Sequence, residues 1–327
     1  MKSKIANILL ISWLSLQKGR PTALAWSFCR TKRHPDSSPS SAVSRHYVYR
    51  SNSNADLTNS QQHLTSIAEQ SFAILARRKK TWQRLRHLVE LAQDVRRTQT
   101  NDDNSCRSIA DVGTDHGILP IALASTGHFD RVVGVDISEK VLEGARSLYN
   151  KVQSNLLAAE TSPPLSVDFV LGDGLSSIQG TMDMVCIAGM GVNTMLEILT
   201  PTDLDRVGCR VLLLQPTNSK PKNLLRLYDT LWQSGWHPVD EKIEYQSSRW
   251  YLSIMFCRSI STVIPDVSKS PLPGSILRLL VEKDDGSGKK IFHQYVKHHT
   301  HWIQMDWKAK GSIDETELRW MSEFVQS

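Results

Sequence analysis

The 327-residue sequence lacks several patterns that would assign it to a large class of proteins. It has no C-x-x-C pair, and its five cysteines stand singly, which argues against a zinc ribbon or a dithiol redox centre. No apolar run approaches the roughly 18 residues of a membrane-spanning helix, so we expect no membrane anchor. The length suits one domain of about 150 to 200 residues with extensions, which folds without disulfides. We expect most of the cysteines to be buried small side chains: Cys29, Cys106, Cys186, Cys209 and Cys257.

Acidic residues are scarce at the N-terminus. Residues 1–55 carry nine Lys or Arg and one acid, Asp36, so their net charge of +8 leaves −2 on the remainder of a chain whose total is +6. Any contact with a nucleic acid must therefore come from local patches. The clearest patch is a helical run that either binds phosphates or forms a solvated helix face: Arg77, Arg78, Lys79, Lys80, Arg84 and Arg86.

The first 60 residues have the composition of a targeting leader. Lys2 and Lys4 precede a short apolar run at 8–14, and Ala23-Leu24-Ala25 fits a small-residue cleavage site. The following stretch to about residue 60 is rich in Ser and Arg, as transit peptides are, and lacks the apolar periodicity of a folded segment. Residues 1–60 are thus predicted to be a disordered bipartite leader, resembling those of complex plastids, with the mitochondrion as the alternative destination.

A G-x-G-x-x-G motif is also missing from the first strand that the pattern predicts. Residues 109–120 instead indicate a buried strand ending at Asp111, a turn containing Gly113 and Gly117, and the start of a helix. A dinucleotide pyrophosphate needs bare backbone at such a turn. Because side chains stand between these glycines, the turn favours a cationic cofactor. They are Thr114, Asp115 and His116.

Further predicted strands also end in glycine or polar residues. The strand at 131–137 ends in Asp136 and Ile137, about 20 residues beyond the glycine turn, where an acidic side chain binds ribose hydroxyls. Asp173 follows the strand at 167–171 and could accept a hydrogen bond from an adenine amino group; for both acids a strand-end cap is the alternative. Two more strands, at 184–188 and 210–214, run into the polar and glycine residues Gly189, Met190, Gly191, Gln215, Pro216, Thr217 and Asn218.

The alternation of strands and helices predicts an α/β fold. Right-handed crossovers give a mostly parallel, Rossmann-like sheet with helices on both faces, and ligands bind at its carboxyl edge. The runs 236–245 and 250–257 have no helix between them, which predicts an antiparallel hairpin at the sheet edge. This is the architecture of class I methyltransferases. We predict a basic helical segment at 61–104, the methyltransferase domain at 105–258, and a linker with a helical extension at 259–327.

Four motifs, in order, make the resemblance more specific. The sequence has DVGTDHGILP at 111–120, GDGL at 172–175, IAGMG at 187–191 and LQP at 214–216. Over roughly residues 85–256 it resembles the bacterial tRNA (adenine-22-N1) methyltransferase family of the TrmK type. It departs from that pattern at Val192, where the family usually has a glycine, and at Thr217. The resemblance implies S-adenosyl-L-methionine as cofactor, tRNA as substrate, and a helical C-terminal extension that helps to hold RNA.

The resemblance, together with the strand-end pattern, implies roles for individual residues. Asp115 is the first catalytic candidate, with His116 positioning it or the base; the alternatives are a helix N-cap for Asp115 and a structural role for His116. The predicted cofactor-binding residues are Asp111, Gly113, Thr114, Gly117, Asp136, Ile137, Gly172, Asp173, Gly174, Ala188 and Gly189, with Asp111 facing the methionine amino group. The predicted substrate-binding residues are Met190, Gly191, Gln215, Pro216, Thr217, Asn218, Arg77, Arg78, Lys79 and Lys80. Trp250 is a further candidate for holding the base.

Two other functions stay open on the sequence alone. One is a class I methyltransferase that acts on another RNA site or on a small molecule, and the other is an inactive, methyltransferase-like RNA-binding protein. In the C-terminal extension, we predict that Trp302, Trp307, Trp320, Ile303 and Leu318 form the core. The group His293, His298, His299 and His301 lacks a matching cysteine or carboxylate frame, so we expect it to face solvent and to bind no metal.

Overall fold

The computed structural model describes residues 59–98, 106–158, 164–217, 220–258, 271–281 and 287–324. The predicted leader up to residue 58 lies outside this part of the chain, as does Asn218. No helix in the described ranges is long and apolar enough to cross a membrane.

The described strands form one seven-stranded sheet in the order β3-β2-β1-β4-β5-β7-β6. Strands β1 to β5 are parallel, whereas β7 is antiparallel to both β5 and β6. The predicted fold class, with its antiparallel edge hairpin, is confirmed. The strands are β1 (Ser108–Val112), β2 (Arg131–Asp136), β3 (Val167–Leu171), β4 (Met184–Ala188), β5 (Val211–Gln215), β6 (His237–Gln246) and β7 (Arg249–Cys257).

Helices cover both faces of the sheet because successive strand residues point to opposite sides. Ile109 and Leu213 face one apolar layer, and their neighbours Ala110 and Leu212 face the other. The first layer is completed by α1 (Asn59–Leu75), α2 (Lys79–Thr98), α3 (Ile118–Ser125) and α4 (Glu139–Ala158), and an exposed 3-10 turn (Ala76–Arg78) joins α1 to α2. The second layer is completed by α5 (Val192–Ile198), α6 (Pro201–Arg206) and α7 (Pro221–Gln233).

Three further helices follow the hairpin: α8 (Ser275–Val281), α9 (Ser287–Lys310) and α10 (Glu315–Phe324). Trp320 and Ile303 are buried as predicted, whereas Trp302 is 40% exposed, so its predicted core position is wrong. The expectation of solvent-facing histidines is wrong for His299, which is 4% exposed and packs 4.1 Å from the Tyr295 ring. The cause is helical geometry, since consecutive residues of one helix point about 100° apart around its axis and so differ in burial.

The described cysteines follow the prediction of small buried side chains. Cys106, Cys186 and Cys209 are buried, and Cys257 is partly buried. All four are free thiols, and burial raises the pKa of Cys209 and of Cys257 to about 12. These thiols therefore stay protonated at neutral pH and contribute apolar packing.

Candidate active site

The glycine turn after β1 is tied to the end of β2. The backbone amides of Gly113 and Thr114 both donate to the Val135 carbonyl, at 2.8 and 2.9 Å. Gly117 has a φ of 71°, and a Cβ atom there would lie 2.8 Å from the Ala145 Cβ. Glycine is required at this position because both the backbone conformation and the contact with α4 exclude a larger residue.

Asp136 ends β2 with its carboxylate beside this turn. Its Oδ2 accepts from the Asp115 backbone amide at 3.2 Å, and its Oδ1 accepts from the Ser138 amide at 3.0 Å. The side chain therefore caps the end of its own strand, which is the alternative role that the sequence analysis gave for Asp136. Each oxygen still has acceptor capacity for another donor. The N-cap alternative for Asp115 is wrong, because Gly117 occupies that position and α3 has no side-chain cap.

A cleft of about 420 Å³ opens at the carboxyl ends of β1, β2 and β3. Small-molecule sites commonly have volumes of about 300–1,000 Å³. Ile137 is 73% exposed at this cleft, although it is a large apolar residue. The cleft brings together these predicted site residues: Gly113, Asp136, Ile137, Gly172, Asp173, Gly174 and Met190.

Asp111 lies on the other side of the glycine turn, at a smaller cavity of about 30 Å³. It is 3% exposed, and its Oδ2 accepts from the Thr114 hydroxyl at 2.8 Å. Burial raises the pKa of Asp111 to about 7, against the opposing effects of the Thr114 hydrogen bond and the Arg84 charge. The predicted site residues at this cavity are Asp111, Gly113, Thr114, Asp115, His116 and Ala188.

Arg84 reaches this smaller cavity from α2. Its Nη1 donates to the Gln215 side-chain oxygen at 3.1 Å, and its guanidinium carbon lies 5.6 Å from the Tyr251 ring centroid. Burial lowers the pKa of Arg84, while Tyr251, Asp111 and Asp115 oppose that shift. The sequence predicted Arg84 to belong to a basic run that either binds phosphates or forms a solvated helix face, and that prediction missed this position. The available signal was its helical spacing with Leu88 and Leu91, both of which are fully buried.

Gln215 is fully buried at the end of β5 and holds Arg84 in place. Its amide nitrogen donates to the Arg84 carbonyl at 2.9 Å and to the Ser253 hydroxyl at 2.7 Å. The side chain therefore acts on the site through Arg84, and its neighbour Pro216 is also buried.

The loops after β4 and β5 are fastened together beside the two cavities. The Thr217 amide donates to the Met190 carbonyl at 2.8 Å, and the Gly189 amide donates to the Gln215 carbonyl at 2.9 Å. Gly189 has a φ of 82°, and a Cβ atom there would lie 3.0 Å from the Arg84 Nη1.

Met190 packs so closely on the glycine turn that a Cβ on Gly113 would lie 2.0 Å from its Cε. Gly191 is the N-cap of α5.

The remaining predicted residues lie at the surface around the site. The side chains of Asp115 and His116 are 65% and 50% exposed, with Oδ1 and Nε2 3.8 Å apart. The basic run from Arg77 to Lys80 is exposed at the start of α2 and adjoins Thr81, which lines the smaller cavity. Trp250 faces α9, where its ring lies 5.7 Å from that of Tyr295. In the ranges that the structure describes, no cluster of three or more His, Cys, Asp or Glu could hold a metal ion.

Comparison with known proteins agrees with this architecture. Residues 98–254 match a protein family described as a methyltransferase domain. An uncharacterized protein from Listeria monocytogenes serotype 4b has a similar structure, with a TM-score of 0.50 and 18% identity over 74% of this chain and 98% of that one. No curated protein matches the sequence.

Two solved TrmK structures are also similar. TrmK of M. capricolum, in complex with S-adenosyl-homocysteine, has a TM-score of 0.49 and 20% identity over 74% of this chain and 96% of that one. The m1A22 tRNA methyltransferase TrmK of B. subtilis has a TM-score of 0.46 and 18% identity over 74% and 93%. Residues 98–254 are thus similar to a methyltransferase-domain family, and they lie within the ranges that form the mostly parallel, Rossmann-like sheet.

Proposed function

We propose that the protein transfers a methyl group from S-adenosyl-L-methionine to N1 of an adenine in tRNA, at position 22 of the D-arm as the motif resemblance implies. The observation that carries this proposal is the placement of Asp136, Ile137 and Asp173 around one cleft, next to the loop from Gly189 to Gly191. Methylation of another RNA site or a small molecule, and RNA binding without turnover, are the competing functions.

The larger cleft suits the nucleoside half of the cofactor. Asp136 is fixed by two backbone amides, and its remaining acceptor capacity faces the cleft, where it suits the two ribose hydroxyls. Ile137 offers an apolar surface to a flat base, and Asp173 lies close enough to the same cleft to accept from an amino group. The cleft volume supports a ligand of this size.

The polar groups at the smaller cavity match the amino-acid half, which would enter from the adjoining cleft and widen a space of about 30 Å³. Asp111 offers a carboxyl group and Arg84 a guanidinium beside it, and within the described residues neither forms a salt bridge with a protein group. A bound cation favours the ionised form of Asp111, whose pKa is about 7 in the unliganded fold. We assign the cofactor's ammonium group to Asp111 and its carboxylate to Arg84, whose guanidinium has five donors and uses one on Gln215. When bound, the cofactor supplies an electrophilic methyl group.

The exposed residues beyond the glycine turn suit the base. Adenine N1 has a free lone pair and needs no general base, but the ring becomes cationic on methylation. The Asp115 carboxylate stabilises that charge, and His116, 3.8 Å away, orients it. Asp115 has a φ of 52°, and its backbone amide donates a hydrogen bond to the Asp136 carboxylate. This one hydrogen bond therefore positions both the residue assigned to the ribose and the residue assigned to the target base. Because N1 lies on the Watson–Crick edge, a paired adenine must be extruded first.

The basic run at the start of α2 supports a nucleic acid as substrate. Arg77, Arg78, Lys79 and Lys80 are all exposed. Among the described residues none of these four forms an ion pair with a carboxylate, so their charges are available to phosphates. Binding through them should weaken steeply as salt is raised.

Methyl transfer to tRNA transcripts tests the function. Purified protein is incubated with cofactor and with organellar tRNA transcripts carrying either adenine or guanine at position 22, and the modified nucleoside is located by primer extension and mass spectrometry. We expect N1-methyladenosine at position 22 of the adenine transcript alone. Methylation that persists in the guanine transcript assigns another site. Cofactor binding without transfer to any RNA contradicts the proposal and leaves a small-molecule methyltransferase or an inactive scaffold.

A plastid location for this activity is part of the proposal, with the mitochondrion as the alternative. The scarcity of acids in residues 1–55 and the short apolar run at 8–14 support it. A fluorescent protein fused to the first 60 residues should enter the plastid of a cell with complex plastids. Fluorescence that stays in the cytosol contradicts this assignment.

A further inference from the structure

Four aromatic rings follow one another across the surface on the α7 side of the sheet. The ring centroids of Tyr245 and Trp250 are 4.8 Å apart, those of Trp250 and His298 are 6.4 Å apart, and those of His298 and Trp302 are 6.4 Å apart. The Trp302 indole nitrogen also donates to the His298 Nε2 at 3.2 Å. We call these four residues the aromatic strip. It joins the β6–β7 hairpin to α9.

The strip is open to solvent at both ends. Tyr245 is 54% exposed and Trp302 is 40% exposed, whereas Trp320, from the neighbouring α10, is buried. Single exposed apolar side chains are ordinary, but a contiguous set of large rings indicates an interaction surface. The C-terminal helices already have a separate core, which includes Trp320, Ile303 and Tyr295, so the strip is not needed to fill it.

One lysine lies on the strip, and the helix that carries two of its rings has a net positive charge. The Lys220 ammonium lies 5.2 Å from the Trp302 ring centroid, and its side chain is 51% exposed. Helix α9 contains five lysines and a single acid, Asp306, which pairs with Lys220 at 3.9 Å and with Lys310 at 2.9 Å. Flat rings with a lysine beside them, on a basic helix, match the faces and phosphates of unpaired nucleotides, because every base has a stacking face.

The strip begins beside the candidate active site. Trp250 and Tyr251 are consecutive in β7 and point to opposite faces of the hairpin, so Tyr251 contacts Arg84 at the small cavity while Trp250 belongs to the strip. Thr217, bonded to the loop after β4, is three residues before Lys220, which limits their separation to about 11 Å. An RNA strand that places a base at the active site can therefore continue onto the rings.

We propose that the aromatic strip binds unpaired nucleotides of the RNA substrate by stacking. This inference rests on the proposed function, in that the substrate is an RNA, and it adds the surface that holds nucleotides neighbouring the target base. The α2 basic run binds the backbone of the same RNA from the other face of the sheet. The strip thus favours RNA whose loops are open over fully paired RNA.

Fluorescence anisotropy with the full chain tests the strip, using a labelled unstructured RNA, the duplex of the same sequence, and a tRNA transcript. Trp302→Ala and Tyr245→Ala should each weaken binding of the unstructured RNA roughly 5- to 100-fold, the range for losing one stacked base, and should change duplex binding little. Trp302→Phe should keep most of the affinity. Leu157→Ala, at an exposed leucine of α4, is the matched control and should have no effect.

Binding of S-adenosylhomocysteine, measured by calorimetry, should be the same in all variants and shows that the domain is folded. If RNA affinity is unchanged in both alanine variants, the aromatic strip does not bind RNA. If Trp302→Leu keeps the full affinity, the contact with RNA is apolar and not stacking, and the proposal is also wrong. The two proposals fail separately. Strip-dependent RNA binding without methylation of any tRNA overturns the proposed function alone, and normal methylation with normal affinity in the variants overturns the strip alone.

Discussion

The Asp115 backbone amide donates to the Asp136 carboxylate across 3.2 Å, which joins the glycine turn after β1 to the end of β2. The carboxylate that we assign to the ribose is therefore held by the residue that we assign to the target base. Positions 115 and 136 lie 21 residues apart in the sequence, and only the parallel pairing of β1 with β2 brings them together.

Replacing Asp136 by Ala should weaken S-adenosylhomocysteine binding about 10- to 100-fold. The change removes hydrogen bonds between a charged acceptor and the ribose, each contributing about 1.5–3 kcal/mol. RNA affinity should fall far less. Asp130→Ala is the matched control, because Asp130 is an exposed carboxylate at the opposite end of β2, paired with Arg107. Equal losses of cofactor and RNA binding in Asp136→Ala would show that the cleft has been misassigned.

The buried Asp111 carboxyl should make stability depend on pH. Its pKa is about 7 in the folded protein and near its ordinary value of 3.8 in the unfolded chain. Between these values the folded state holds a proton that the unfolded state has lost, so the free energy of unfolding decreases as pH rises from about 4 to 7 and then levels off. Each unit of raised pKa corresponds to about 1.4 kcal/mol.

Asp111→Asn removes this titration. Denaturant unfolding of the cofactor-free protein at pH 5, 6, 7 and 8 should show the variant gaining about 2 kcal/mol relative to the wild type between pH 5 and pH 7, and nothing further above that. Parallel pH profiles for the two proteins would mean that the Asp111 carboxyl is ionised in the fold.

The sequence predicted the strands and the edge hairpin because short apolar runs and tight turns are local signals. The hairpin turn at Ser247 and Ser248 was located even though both residues have positive φ, at 49° and 62°. The position of Arg84 could not be predicted in the same way. Its helical spacing with Leu88 and Leu91 indicates the buried face of α2, but its partner Gln215 lies 131 residues further along the chain, and no local signal identifies that contact.

The errors in the C-terminal helices have a similar origin. In α9, Trp302 and Ile303 are adjacent, and only the packing of α9 against the other elements decides which of them is buried. The exposed Trp302 became informative only beside Lys220, which precedes α7, and beside Trp250 of β7, which its helical neighbour His298 contacts. Chemistry that depends on such long-range neighbours is not encoded in the periodicity of one segment.

Glu241 should anchor the C-terminal helices to the sheet. This carboxylate of β6 is 1% exposed and accepts from the Gly274 and Leu277 backbone amides, both at 2.9 Å, and from the Tyr228 hydroxyl. Burial raises the pKa of Glu241, while these three bonds oppose the shift. Glu241→Ala leaves buried donors without an acceptor and should lower the free energy of unfolding by about 2–4 kcal/mol.

Hydrogen exchange should show where the loss of Glu241 acts. In Glu241→Ala the amides of α8 should exchange faster than in the wild type, while S-adenosylhomocysteine still binds with its usual affinity. Glu143→Ala, at an exposed glutamate of α4, should leave both unchanged. Unaltered protection of α8 in Glu241→Ala would contradict the anchoring role.

Arg84 should recognise the amino-acid half of the cofactor. Arg84→Ala removes charge-assisted hydrogen bonds to a carboxylate, so it should weaken S-adenosylhomocysteine binding about 10- to 100-fold. The affinity for 5′-methylthioadenosine, which lacks the amino-acid group, should change little, and that contrast assigns the effect to the carboxylate. Arg86→Ala is the control, because Arg86 is exposed on the same helix and pairs with Glu90 at 3.4 Å. If Arg84→Ala weakens RNA binding and leaves both nucleosides bound as before, Arg84 is a phosphate contact, and the cofactor's carboxylate has no partner on α2.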